Sequence, residues 1–118
     1  MVVRVPIELK YQNVILSTSA LANSGYESDE NEIHVPISLA EKLGYDLSDL
    51  KGEEYSVVGT KVTTFILGRV KVRVVTSDKV TGWVDARAVT VLNEYEVILS
   101  DALIESLGIE IIKPKIGL

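Results

Sequence analysis

One segment of this chain repeats. Leu39-Ala40-Glu41-Lys42-Leu43-Gly44-Tyr45-Asp46-Leu47 aligns without a gap on Leu103-Ile104-Glu105-Ser106-Leu107-Gly108-Ile109-Glu110-Ile111, 64 residues later (103 − 39). Leu, Glu, Leu and Gly recur identically, and acidic and aliphatic positions recur in kind. Each copy reads as a short amphipathic helix stopped by a glycine C-cap. The spacing is longer than a solenoid repeat and points to two similar halves within one domain rather than an array. A common way of ending an amphipathic helix would produce the same letters, so the halves are an expectation for the tertiary structure to test. At 118 residues the chain has room for a single domain, 1–118.

Between the helices the pattern is that of strands. Val3, Val5, Ile7 and Leu9 alternate with Arg4 and Glu8, the sign of a half-buried strand, and Pro6 removes one ladder donor and suggests an edge or an irregular pairing. Residues 13–22 form a second stretch. Residues 23–32 are turn-rich and acidic and read as a loop, and Ile33–Val35 as a short strand. Pro36 leads to the first helix, with Ser38 as N-cap and Glu41 completing a capping box. Residues 46–54 read as a polar loop. Residues 55–60, 62–75 and 80–92 read as Val- and Thr-rich strands. Val97-Ile98-Leu99 reads as a strand buried on both faces. Ser100 or Asp101 caps the second helix, with Asp101 favoured, and Ile109–Ile112 closes the chain as a strand. The fold class expected is all-β with one or two short helices.

Composition removes several functions. The net charge of −5 repels phosphate backbones and argues against nucleic acid. Arg69, Lys71 and Arg73 share one strand face, which reads as a solvated face. There is no cysteine, and His34 is the single histidine. That excludes a histidine-centred metal site and a Ser-His-Asp triad within one chain, so neither metal nor cofactor is expected. His34, between Ile33 and Val35, points away from both and reads as structural. No apolar run reaches the length needed to span a bilayer, and Met1 leads directly into a strand pattern, so no membrane association and a cytoplasmic location are expected.

Two stretches together carry a resemblance. Ala20-Leu21-Ala22-Asn23-Ser24-Gly25-Tyr26-Glu27 is followed by Ile33-His34-Val35-Pro36-Ile37-Ser38-Leu39-Ala40-Glu41-Lys42-Leu43-Gly44, and much later by Ile98-Leu99-Ser100-Asp101-Ala102-Leu103-Ile104-Glu105-Ser106-Leu107-Gly108-Ile109. In order and spacing, from about residue 12 to 112, this resembles the retropepsin-like aspartic proteases, in the archaeal and bacterial predicted aspartyl protease branch. The resemblance implies a closed acid-protease-like β-barrel with an internal pseudo-twofold, one subunit of a homodimer, acting on a peptide or protein substrate. It places Asn23 where the catalytic aspartate belongs, with Ser24 and Gly25 completing the turn. Tyr26 and Glu27 then border the substrate, and a flap over 55–63 brings Val57, Val58, Gly59 and Thr60 over it. Residues 1–9 and 109–118 form or border the dimer contact.

Asn23 departs from the pattern, as do Ser100 in place of glycine and Asp101 where several relatives carry arginine. An amide donates a hydrogen bond but cannot take a proton from water, so a symmetric pair of Asn23 residues lacks a general base. The chain as written is then an inactive peptidase, engineered or natural, or a non-catalytic peptide-binding or structural dimer module on the same fold. An unrelated β-barrel scaffold of double-psi type is the third reading. Asp29, Glu27 and Glu30 read as solvated charges, and Trp83 and Tyr26 as core or interface anchors.

Overall fold

The computed structural model describes residues 2–48, 51–57 and 60–110. Among them are seven strands and two short helices: β1 (Val2–Tyr11), β2 (Val14–Asn23), β3 (Glu32–His34), α1 (Ile37–Leu43), β4 (Lys51–Val57), β5 (Thr60–Val74), β6 (Val84–Val91), β7 (Val97–Leu99) and α2 (Asp101–Ser106). The strands run in the order β1-β2-β7-β3-β6-β5-β4, and β1 also pairs with β5. Six strands therefore close into a barrel, and β4 extends from it as the outer partner of β5.

Alternation fills the barrel. Val5, Ile7 and Leu9 of β1, Ala20 and Ala22 of β2, and Val70, Val72 and Val74 of β5 all turn inward and are buried. Between them, Arg69, Lys71 and Arg73 turn outward and each finds a carboxylate, at Glu30, Asp85 and Glu8 respectively. β5 serves three partners because it bends. Its register against β6 slips between Ile66 and Gly68, and Gly68 has φ +125°, a backbone shape that side chains oppose. Before the bulge β5 pairs with β4, and beyond it, from Lys71 to Val74, with β1.

The repeat is a true structural pseudo-symmetry. α1 and α2 start 64 residues apart, at Ile37 and Asp101, and the caps Pro36 and Ser100 keep that spacing. So do the chain reversals: Tyr45 N–H donates to Ala40 C=O as Ile109 N–H donates to Ile104 C=O, and Gly44 and Gly108 both have positive φ. The halves interlock. β3 lies parallel to β6 of the other half, β7 lies parallel to β2, and β3 and β7 pair antiparallel at the centre.

Several details differ from the sequence reading. Pro36, not Ser38, caps α1, and no side chain makes the cap bond. Pro36 C=O already takes the Leu39 and Ala40 amides, which puts Ser38 inside the first turn. Ser100, not Asp101, caps α2, its hydroxyl accepting from Leu103 N–H. β4 starts at Lys51, inside the expected loop, because pairing with β5 overrides its polar composition. β6 starts only at Val84, and Val80 makes an isolated bridge to Val75. Ile98 is half-buried rather than buried on both faces. β1 is flanked on both sides, and Pro6 sits just where its pairing with β5 ends. Ile109 and Glu110 belong to no strand, and residues 111 and 112 lie outside the described residues. No helix among the described residues is long and apolar enough to cross a membrane.

Candidate active site and its cleft

β2 ends in the Asn23-Ser24-Gly25 turn. Tyr26 N–H donates to Asn23 C=O at 3.0 Å, and Gly25 N–H donates to Asn23 Oδ1 at 2.9 Å. With Oδ1 holding Gly25, the Nδ2 amide is the atom left to donate outward. A Cβ on Gly25 would sit 3.2 Å from Oδ1, so a side chain there would press on the very atom the turn is built around. Ser24 is exposed, and its hydroxyl has no hydrogen-bond partner among the described residues.

The chain after this turn is fastened to α2 by bonds that run between the halves. Asp101 N–H donates to Tyr26 C=O at 2.8 Å, and Asp101 Oδ1 accepts from Ser28 N–H at 3.0 Å. Ser100, fully buried, accepts from Glu32 N–H at 3.0 Å as well as from Leu103, and its own amide donates to Glu32 C=O. The serine and the aspartate at which the chain departs from the family pattern thus hold the candidate loop in place. Sequence spacing gave no sign of either role, because the partners lie 68 and 73 positions away.

A cavity of about 720 Å³ lies beyond the turn, on the outer face of the barrel wall. Its position follows from alternation. The inward residues Ile33, Ala86, Ala88, Val97 and Leu99 belong to the core, and their neighbours Glu32, His34, Arg87, Val89, Val91 and Ile98 line the cavity. Thr64 of β5 and the loop residues Tyr26 to Glu30 complete one side, and Glu94 another. Of the predicted site residues, Tyr26 and Glu27 line this cavity. Asn23, Ser24 and Gly25 form the turn beside it. Val57 pairs with Thr60 across the β4–β5 hairpin, while Val58 and Gly59 lie outside the described residues.

The loop between β2 and β3 is where the repeat breaks. The turn at Asn23–Tyr26 recurs as Val91–Glu94, closed by Glu94 N–H donating to Val91 C=O, now 68 residues on. The helices repeat at 64, so the first loop is four residues longer. That extra length carries Glu27, Asp29 and Glu30 into the cavity wall.

His34 holds the second turn. Val91 N–H donates to its Nε2 at 3.0 Å, and its Nδ1 lies 2.7 Å from Glu96 C=O. An amide can only donate and a carbonyl can only accept, so the ring is neutral with its proton on Nδ1. The structural role read from sequence is correct, although the residue is buried rather than on the surface. Tyr26 donates its hydroxyl to Glu32 at 2.5 Å. Trp83, outside the site, lies under the Arg73 guanidinium at 4.2 Å from its ring centroid. On the outer side of the second turn, Arg4 pairs with Glu96, and that hydrogen bond pulls the Glu96 carboxyl below its usual range. Among the described residues no cluster of His, Cys, Asp or Glu could hold a metal ion.

No protein-family model and no curated protein matches the sequence. Among solved structures, the EIAV protease complexed with the inhibitor HBY-793 superposes with a TM-score of 0.58 at 15% identity, covering 96% of this chain and 94% of that one. The chain has the retropepsin-like fold. A retropepsin-like aspartic protease from Rickettsia conorii also matches, with a TM-score of 0.47 at 18% identity, over 89% of this chain and 78% of that one. The barrel with two short helices and an interlocked pseudo-twofold is the architecture the resemblance implied.

Proposed function

We propose that this chain is a retropepsin-like aspartic peptidase domain that works as a homodimer, and that with Asn23 it binds peptides without hydrolysing them. The observation that carries the reading is the Asn23-Ser24-Gly25 turn itself. On this fold it stands at the end of β2, its side-chain oxygen fixed by Gly25 N–H, beside a cavity of peptide-side-chain size. One chain supplies one such turn. Hydrolysis needs two carboxyl groups sharing a proton, one to take a proton from water and one to polarise the scissile carbonyl. Two chains meeting at their turns would meet that need if position 23 were aspartate. The exposed Ser24 hydroxyl is then placed to bond across the twofold.

With asparagine, the outward Nδ2 imitates the protonated partner, and the ionised partner is missing. The second reading, a binding or structural dimer module, is favoured by Asn23 alone. Both readings share the fold and the cleft and differ in whether the aspartate form works. Asn23→Asp separates them. The peptidase reading expects the variant to gain cleavage of unstructured peptides at acidic pH by a factor of at least about 10² over the asparagine form, the contribution of a positioned general base. A folded, dimeric Asn23→Asp protein that cleaves nothing across a broad peptide library leaves only the binding module. A monomer by light scattering at micromolar concentration removes the composite site.

A further inference from the structure

We propose that the cavity selects peptides carrying a lysine or arginine side chain. This deepens the peptide-cleft reading above, and rests on it, by naming the substrate class. The floor is apolar: Val89, Val91 and Ile98 come from adjacent strands and offer a surface for an aliphatic stem. The rim is anionic, with five carboxylates at Glu27, Asp29, Glu30, Glu32 and Glu94, and one guanidinium, Arg87, among the lining residues. His34 adds no charge, because Nε2 accepts from an amide and Nδ1 faces a carbonyl.

Three of the five carboxylates are already engaged. Arg69 binds Glu30, Tyr26 binds Glu32, and Glu96 N–H binds Glu94. Glu27 and Asp29 are exposed and have neither ion pair nor hydrogen bond among the described residues. A side chain with an apolar stem and a cationic end matches both parts of such a cavity, the stem along the valines and the head among the free carboxylates. A norleucine would satisfy only the floor, and a glutamate would meet like charge at every side of the rim. The four residues by which this loop exceeds its pseudo-symmetric copy carry the charge, so the selectivity belongs to the feature that makes the halves unequal.

Fluorescence anisotropy with the full-length asparagine chain tests this, since it does not consume the probe. Three labelled peptides of about nine residues, long enough for an extended segment, differ only at the central position: lysine, norleucine or glutamate. The lysine peptide is expected to bind about tenfold tighter than the norleucine peptide at about 0.02 M salt, and the glutamate peptide more weakly than either. At about 0.5 M salt the lysine advantage should shrink to about twofold. The Glu27→Gln/Asp29→Asn double variant should show the same loss at low salt, with its fold checked by circular dichroism. Equal affinity for lysine and norleucine, or a preference for glutamate, overturns the inference and leaves peptide binding standing. If no peptide binds, the cleft reading falls, and the inference with it. The lysine-to-norleucine comparison on the unmodified chain decides the matter even if the double variant does not fold.

Discussion

Replacing Ser100 with alanine should weaken this fold far more than the loss of one hydroxyl suggests. The side chain is fully buried, and its oxygen accepts two backbone amides, Glu32 at 3.0 Å and Leu103 at 3.3 Å. Losing the α2 cap costs about 1 kcal/mol. Stranding the Glu32 amide between β3 and α2 costs a further ~1–3 kcal/mol, since no water lies close by design of a closed barrel wall. The expected total is about 2–4 kcal/mol, a large share of the stability of a domain this size. At about 4 °C per kcal/mol the midpoint of thermal unfolding should fall by roughly 8–16 °C. Urea unfolding followed by circular dichroism measures it, with an unchanged m-value as the check that the unfolded state is the same. Ser106→Ala is the control: its hydroxyl donates to Asn31 at 2.9 Å on an exposed surface, and its loss should cost less than about 0.5 kcal/mol. If the two variants lose the same stability, the two-amide role of Ser100 is wrong.

Three more outcomes follow from the same reasoning. His34→Phe should destabilise by about 2–4 kcal/mol, because Val91 N–H and Glu96 C=O both lose their partner, and hydrogen exchange should speed up first at Val91; a loss under about 1 kcal/mol would contradict the clamp. Thr90→Val should be neutral or stabilising by about 1 kcal/mol in chemical denaturation, since the Thr90 hydroxyl is buried with no partner among the described residues and a methyl there loses nothing. Burial, and then the neighbouring Tyr11 ring, raise the Tyr45 phenol well above its ordinary value of 10.0. The folded chain therefore holds a proton that the unfolded chain releases, so stability is full below about pH 10 and falls as pH rises beyond it, by about 1.4 kcal/mol per pH unit for this group. Tyr45→Phe should remove that part of the slope in stability measured from pH 9 to 11 or so, at the cost of the bond to Arg69 C=O.

Much of the architecture was legible in local pattern. Val5, Ile7 and Leu9, and Val70, Val72 and Val74, declared their strands and their inward faces by alternation alone. The repeated Leu-x-Glu-x-Leu-Gly segment declared two equivalent helix ends, and the structure keeps their spacing to the residue. The Asn23-Ser24-Gly25 turn could be picked out as a candidate because its residue types and place before a short strand are local facts. Where local signals competed, boundaries moved: Pro36 took the cap from Ser38, and pairing with β5 drew Lys51 and its neighbours out of the expected loop.

By itself, then, the amino-acid order determined the periodicities, the inventory of chemistry and the duplicated helix ends, since each depends on residues a few positions apart. Only the folded chain decided which strand lies beside which. Parallel pairing of β3 with β6 and of β7 with β2 crosses from one half to the other, and no nearby residues encode such a register. That crossing brings Asp101 to Ser28, Ser100 to Glu32 and His34 to Val91, and it sets the acidic loop against an apolar wall. The cleft is a property of long-range packing, where small propensities yield to the burial of a shared core.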